Sequence, residues 1–445
     1  YSRFTLAACW LSLTARNKGI TMKQPASDFK QCRSAIAQNG QNIEAFIKTV
    51  LADIKTANAE LGLFEYIDEA TVLSDAARLD ALPQEQREAL PLAGLPFAVK
   101  DIIDVAGMPT AFGCAAPIGY NAQTDASIVK QLKAQGALVI GKTVTTELAF
   151  LQPSRTRNPR GLDFTPGGSS SGSAAVVAAN LLPLAIGTQT GGSVIRPAAF
   201  CGIFAIKPSF GLIDRFGVLS QSPSLDTIGF MANELGDLAQ VIQFCTPSAA
   251  PRPAKKPFSI AMIEGTFTEQ AAPYMKTLSS DIGAACAPHI TNVTLDDVLA
   301  RCAAVRSKIN DYELHHQFNN LVQNHPQRLS SHILNAHKAG AAISTSSYFD
   351  ALNETTALRD VCSALLNEYD CLLMPSTLGE APKGLGSTGN SLFNGPWTLL
   401  GLPVVHLPVS TGPNSMPIGV QVIGALHRDQ ELLQQAQKIW NLLSA

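Results

Sequence analysis

Two serines, each preceded by a pair of glycines, and one lysine are the residues whose types and spacing fit a shared chemistry. Gly167-Gly168-Ser169 and Gly191-Gly192-Ser193 fall within residues 165–201, TPGGSSSGSAAVVAANLLPLAIGTQTGGSVIRPAAFC, and the apolar segment between them reads as one helix and one strand. Glycine pairs let the backbone take positive φ and bring its N–H groups close to a ligand, and a helix that starts after such a turn attracts developing negative charge. The pattern is that of a serine nucleophile beside an oxyanion site. Either cluster alone also reads as an ordinary loop.

A serine hydroxyl is too weakly acidic to attack an amide unaided and needs a proton acceptor within hydrogen-bond reach. Histidine is poorly placed to serve, because none occurs before His289 and no G-x-S-x-G elbow surrounds Ser169 or Ser193. Lysine can act as the base when burial makes it neutral, since desolvation lowers its pKa by several units from about 10.4. Lys100 ends the apolar run Gly94-Leu95-Pro96-Phe97-Ala98-Val99. A salt bridge to Asp101 or Asp104 is the other reading of this lysine, and the residues alone leave both open.

Two other frames fail. Gly167-x4-Gly172-Ser173 has the outline of a phosphate-binding loop, but Ser173 stands where the lysine is needed. Gly384-Leu385-Gly386-Ser387-Thr388-Gly389 matches a dinucleotide fingerprint, yet it sits in a Pro-rich loop and no Asp or Glu follows before Asp429.

The elements that must position these residues follow from periodicity. Ile43, Phe46, Ile47, Val50, Leu51 and Ile54 mark an amphipathic helix with Asn42 as N-cap and Gly62 as its stop. A short helix is expected over 75–82 and a buried strand over 94–99. Helix 127–135 and strand 137–140 follow, and the β-α-β alternation predicts parallel pairing. Strand 183–187, helix 193–201, strand 204–207, helix 235–245 and strand 258–263 continue the pattern. Residues 246–257 (TPSAAPRPAKKP) read as an exposed connection. Residues 264–370 are expected to be mostly helical. Strand 371–374, a long Gly/Pro/Ser loop, strands 404–408 and 418–423 and a helix over 429–443 complete the chain.

With 445 residues, 46% hydrophobic and 15% charged, the chain can bury a large core. A net charge of −2 without basic runs argues against nucleic acid or an anionic membrane as partner. Nine cysteines without a C-x-x-C indicate neither a disulfide framework nor a zinc site, and a reducing, cytoplasmic compartment is expected. Residues 4–13 behind Arg3 have the length of a signal core but lack a small-x-small cleavage site, and Met22 is an alternative start. Residues 1–40 are therefore expected to be a poorly ordered N-terminal extension, and 41–445 the working domain.

These residues resemble the amidase signature hydrolases, which use a Ser-cisSer-Lys triad. The resemblance runs through Pro96–Asp101, Gly141-Lys142-Thr143 to Glu147, the stretch 167–201, Lys207-Pro208-Ser209-Phe210-Gly211 and Leu225-Asp226-Thr227-Ile228-Gly229. It continues in Gly401-Leu402-Pro403 and Gly419-Val420-Gln421 and covers roughly residues 40–445. Ser193 follows Ser169 by 24 residues and Ser169 follows Lys100 by 69, as in the family.

The resemblance implies one large α/β/α sandwich around a mixed, mostly parallel sheet. It also implies Ser193 as acyl-forming nucleophile, Ser169 after a cis peptide as the bridging serine, and Lys100 as base. The N–H groups of Thr190, Gly191, Gly192 and Ser193 would form the oxyanion hole, and no metal or cofactor is required. Many members have Asp where this chain has Gln189, and Arg two residues past the nucleophile where this chain has Ile195 followed by Arg196. That departure resembles the malonamidase-like and carboxybiuret-hydrolase-like subgroup, which acts on small, often carboxylated amides. Arg196, Gln189 and Ser170 are the substrate-binding candidates, with a structural role for Arg196 equally open. The implied partner is a small-molecule amide, with a homodimer allowed for. The alternative is the amidase component of a tRNA-dependent amidotransferase.

Overall fold

Pro96–Lys100 carries no polar side chain before its last residue, so a strand formed there must be covered on both faces, and all five residues are buried. The structure, a computed structural model, describes residues 26–114, 119–245 and 257–444. Its strands are β1 (Phe64–Tyr66), β2 (Pro96–Lys100), β3 (Pro109–Thr110), β4 (Tyr120–Asn121), β5 (Leu138–Thr143), β6 (Leu184–Gln189) and β7 (Phe204–Lys207). They continue with β8 (Thr227–Ala232), β9 (Ile260–Ile263), β10 (Ile290–Val293), β11 (Cys371–Pro375), β12 (Val404–Thr411) and β13 (Pro417–Ile423). Eleven of them form one sheet in the order β1-β5-β2-β6-β8-β7-β12-β13-β11-β9-β10, while β3 and β4 pair separately.

The sheet is mixed, as expected, but parallel pairing does not dominate it. β2 is parallel to β5 and β6, and β9 to β10 and β11. From β6 across β8, β7, β12, β13 and β11 every pair is antiparallel, as is β1 with β5. The alternation that predicts parallel strands is broken after β7, which is followed by a long loop and not by a crossover helix, and parallel pairing returns only at β9 with β10 and β11. β12 and β13 are joined by a hairpin turn in which Gly412 N donates to Met416 O.

Helices cover the sheet. Ser171–Ala178 and Ile195–Cys201 pack together and are buried at every residue. Leu235–Cys245 packs with Ser127–Ala134 and with Asp429–Ser444. Asn42 caps the helix Ile43–Leu61 by accepting from Ala45 N, and Gly62 closes it in the left-handed region at φ 61°. The helix expected over 75–82 begins earlier, at Glu69–Asp80, because Asp68 caps it through Thr71 N.

The N-terminal extension is more structured than its sequence suggests. Phe29–Gln38 is a helix with Phe29, Cys32 and Ile36 buried, and Asp237 accepts from Phe29 N. Residues 1–25 and the connection at 246–256 lie outside the described residues. Residues 264–370 are mostly helical as expected, chiefly in Asp296–Asn324, Ser331–Ala341 and Thr345–Glu368, with β10 as an unexpected strand. Among the described residues no helix is long and apolar enough to cross a membrane.

Candidate active site

β2 is flanked by β5 and β6 and buried along its whole length, and this places Lys100 where no water reaches it, at 0% exposure. Its Nζ lies 2.7 Å from Ser169 Oγ and 2.7 Å from Thr188 Oγ1, with Thr188 O at 3.5 Å. The salt-bridge reading of this lysine is not met. Asp101 pairs instead with Lys142 at 3.1 Å, and Asp104 accepts from Thr110 and Tyr120. Burial pulls Lys100 down to about 7, opposed only in part by the negative charge of Asp226. A lysine shifted this far exists at neutral pH in both its basic and its acidic forms.

Ser169 is held to that lysine by its own backbone. The Gly168–Ser169 peptide is cis, and Ser169 O accepts from Thr145 Oγ1, Thr146 N and Ser171 N. Arg196 Nη2 donates to Gly168 O at 2.6 Å. The carbonyls on both sides of the cis bond are thus fixed by donors from three separate segments.

The second turn, between β6 and the helix Ile195–Cys201, is built differently from its sequence expectation. The helix starts at Ile195 and not at Ser193, because Gln189 Oε1 accepts from both Val194 N and Ile195 N at 2.9 and 3.0 Å. The other end of that amide donates to Thr398 Oγ1, which in turn donates to Gly191 O at 2.6 Å. With Val194 and Ile195 satisfied in this way, the N–H groups of Thr190, Gly191, Gly192 and Ser193 are left without an acceptor among the described residues. Unpaired buried donors on consecutive residues form a ready site for an oxyanion. Thr190 Oγ1 is tied to Asp226 at 2.5 Å, and Asp226 also accepts from Gln221 N and Ser222 N. Burial raises Asp226 to about 6, against the pull of those hydrogen bonds.

Ser193 lies on the wall of a cavity of about 180 Å³ that is also lined by Thr190, Gly191, Gly192, Arg196 and Arg306. Its Oγ has no hydrogen-bond partner among the described residues, and no hydrogen bond joins it to Ser169. Catalytic hydrogen bonds are often long in a free enzyme and tighten around substrate. A larger cavity, about 500 Å³ and lined by Phe210, Leu352, Thr355 and Arg359, contains none of the three residues and is not the reaction site.

Of the substrate-binding candidates, the structure brings only Arg196 to the cavity. Ser170 lies inside the fold, where its Oγ sits 3.3 Å from both Thr188 N and Thr188 O. Gln189, at 1% exposure, spends both ends of its amide on the turn and has none left for a substrate. Gln189→Leu is therefore expected to lower stability by about 1–3 kcal/mol in chemical denaturation, the cost of leaving buried donors unpaired. It should also reduce kcat more than it changes KM. A raised KM with unchanged stability would return Gln189 to the substrate.

Sequence reasoning missed Thr188 as the second partner of Lys100, Asp226 as its counter-charge, Thr398 as the brace of Gly191, and Arg306. Asp226 lies in a quoted motif whose chemical role no spacing revealed. A buried Ser–His pair does exist, Ser376 Oγ to His406 Nδ1 at 2.7 Å, but Val420 O also faces that nitrogen. Burial holds His406 down to about 3, and neither residue lines a described cavity. This pair is therefore given no catalytic role.

The Amidase family model matches residues 45–279 and 285–433. The chain is 30% identical over 452 residues to the A component of glutamyl-tRNA(Gln) amidotransferase from Symbiobacterium thermophilum, covering 87% of this chain and 91% of that one. A second relative, the corresponding component from Acidobacterium capsulatum, is 37% identical over 205 residues, in a match that spans 45% of this chain and 43% of that protein. Among solved structures, one described as a vestigial complex that reveals the origins of an s-triazine catabolic enzyme superposes with a TM-score of 0.82 at 26% identity. That superposition covers 93% of this chain and 98% of the other. The chain belongs to the amidase family of amide-hydrolysing enzymes.

Proposed function

We propose that this protein cleaves the C–N bond of a small amide, of the carboxylated kind taken by malonamidase-like and carboxybiuret-hydrolase-like enzymes, through an acyl-serine intermediate on Ser193. The observation that carries the reading is the pairing of a buried lysine, 2.7 Å from Ser169, with unpaired backbone donors around Ser193. Ser193 Oγ gives its proton to Ser169 Oγ as Ser169 gives its own to neutral Lys100, and the Ser193 oxygen bonds to the amide carbon. The oxyanion so formed is stabilised by the N–H groups of residues 190–193. When the C–N bond breaks, the proton returns through Ser169 to the leaving nitrogen, and ammonia or an amine departs. Water then attacks the acyl group along the same proton path, regenerating Ser193.

The cavity volume supports a small substrate. At about 180 Å³ it is below the ~300 Å³ at which pockets for drug-sized ligands begin. The names of the curated relatives favour a second reading, the amidase component of a tRNA-dependent amidotransferase. Ammonia release by the purified chain alone, measured across small aliphatic, aromatic and carboxylated amides, separates the two. Release from small amides without added partner proteins is expected. Silence on every amide until those partners are supplied would favour the amidotransferase reading.

A further inference from the structure

Two guanidinium groups line the cavity beside Ser193, and they are not equivalent. Arg196 is 4% exposed, and its Nη2 is engaged by Gly168 O at 2.6 Å and Thr388 Oγ1 at 3.2 Å. Its work is directed at the peptide that aims Ser169. Arg306 comes from the long helix Asp296–Asn324 and reaches the same cavity from another side.

The fold makes room for Arg306 next to the oxyanion turn. A Cβ placed on Gly191 would stand 3.3 Å from its Nη1, and one placed on Gly395 would stand 2.8 Å from its Nε. Glycine at both positions leaves room for the guanidinium beside the turn that carries the unpaired donors. Despite that seat, Arg306 has no hydrogen bond and no carboxylate within ion-pair distance among the described residues, and its Nε is buried and unpaired. Asp311, which also lines the cavity, offsets the charge only from a distance. Arg196 and Arg306 oppose one another: burial, and then the charge of Arg306, bring Arg196 down to about 10. Arg306 is half-buried with only Asp311 acting on its charge from a distance, and two arginines facing one small cavity form a seat for an anion.

We propose that Arg306 is the specificity-determining residue, binding the carboxylate of a small carboxylated amide, while Arg196 acts mainly as a positioning residue for Gly168–Ser169. The inference rests on the hydrolase reading and names the substrate class it acts on. A guanidinium beside the oxyanion turn places the carboxylate within a few bonds of the scissile carbonyl, as in half-amides of short dicarboxylic acids. Its planar fork can hold such a group bidentately.

The test compares malonamate with malonamide, its neutral counterpart of the same size, and measures malonate binding by calorimetry. Wild-type protein is expected to prefer malonamate in kcat/KM. In Arg306→Gln the malonamate-to-malonamide ratio should collapse by about thirtyfold or more, the scale of losing one desolvated charge contact. Arg306→Lys should recover part of it. Gly395→Ala, which leaves the charge in place but displaces the guanidinium, should lower the ratio in the same direction and guards against a misfolded Arg306 variant. Arg196→Lys should lower kcat on both substrates while keeping the ratio. An unchanged ratio in Arg306→Gln, or a wild type that favours malonamide, overturns the proposal. If the wild type cleaves no amide the hydrolase reading fails, and malonate titration still decides the inference: binding lost in Arg306→Gln supports it, and no binding to the wild type refutes it.

Discussion

Ser193→Ala is expected to reduce turnover of any amide substrate by about 10⁴-fold or more, the scale on which a serine enzyme loses its nucleophile. The expectation rests on position. Ser193 is the cavity-lining serine whose Oγ is free of protein partners and whose own N–H belongs to the unpaired run of donors. The substitution removes one oxygen from a turn held by Gln189 and Thr398, so circular dichroism and melting temperature should stay near the wild-type values. Ser169→Ala should also lose a large factor in kcat, though a smaller one, because the nucleophile and oxyanion donors remain. Steady-state ammonia release measures both. A Ser193→Ala enzyme that keeps a tenth or more of the wild-type rate would exclude the assignment.

Lys100 sets the second large effect and its pH dependence. The active form is the neutral amine, and Lys100 titrates at about 7. Below that pH the rate should fall by about tenfold per unit as the ammonium accumulates, and above it the rate should level off. Lys100→Met, which keeps most of the side chain's length but cannot accept a proton, should remove most of the rate together with the acid limb. A Lys100→Met enzyme with full activity at neutral pH would exclude lysine as the base. The same shift fixes a stability sign. Between about pH 7 and the ordinary lysine value of 10.5 the unfolded chain binds a proton that the folded chain has released, so this group makes stability rise with pH across that window.

The residues proposed to react were legible because each is announced by its own neighbours. A strand with no polar residue until Lys100 signals a buried lysine, and a glycine pair before each serine signals a backbone turn with exposed N–H groups. The residues that hold them come from far away in the chain. Thr188, Asp226, Thr398 and Arg306 reach the site only when β6, β8, the short helix Gly395–Leu399 and the helix Asp296–Asn324 converge, and no local pattern encodes that meeting. Gln189 shows the same limit in another form. An amide beside a nucleophile looks alike in sequence whether it faces a ligand or caps a helix, and only the turn geometry separates the two. Ser170, next to Ser169 in the chain, turns toward Thr188 and does not line the cavity.

Sheet topology was only half legible for a related reason. The β-α-β rhythm through β2, β5 and β6 correctly predicts parallel neighbours. Between β7 and β8 and between β12 and β13 the chain has no helix, β7–β12 and β13–β11 join strands distant in sequence, and an apolar strand does not reveal the direction of its partner. β1, β3, β4 and β10, two to four residues long, carry too little pattern to be read, and β8 (Thr227–Ala232), buried throughout, was also not anticipated.

The most direct measurement is peptide mapping by mass spectrometry after treating the wild-type protein with a small fluorophosphonate. The reagent presents a tetrahedral phosphoryl oxygen to the same donors that would hold the oxyanion. One adduct per chain on Ser193, with loss of ammonia release in proportion to labelling and no adduct in Ser193→Ala, is the predicted result. Stoichiometric labelling of another serine, or complete loss of activity with Ser193 unmodified, would contradict the account.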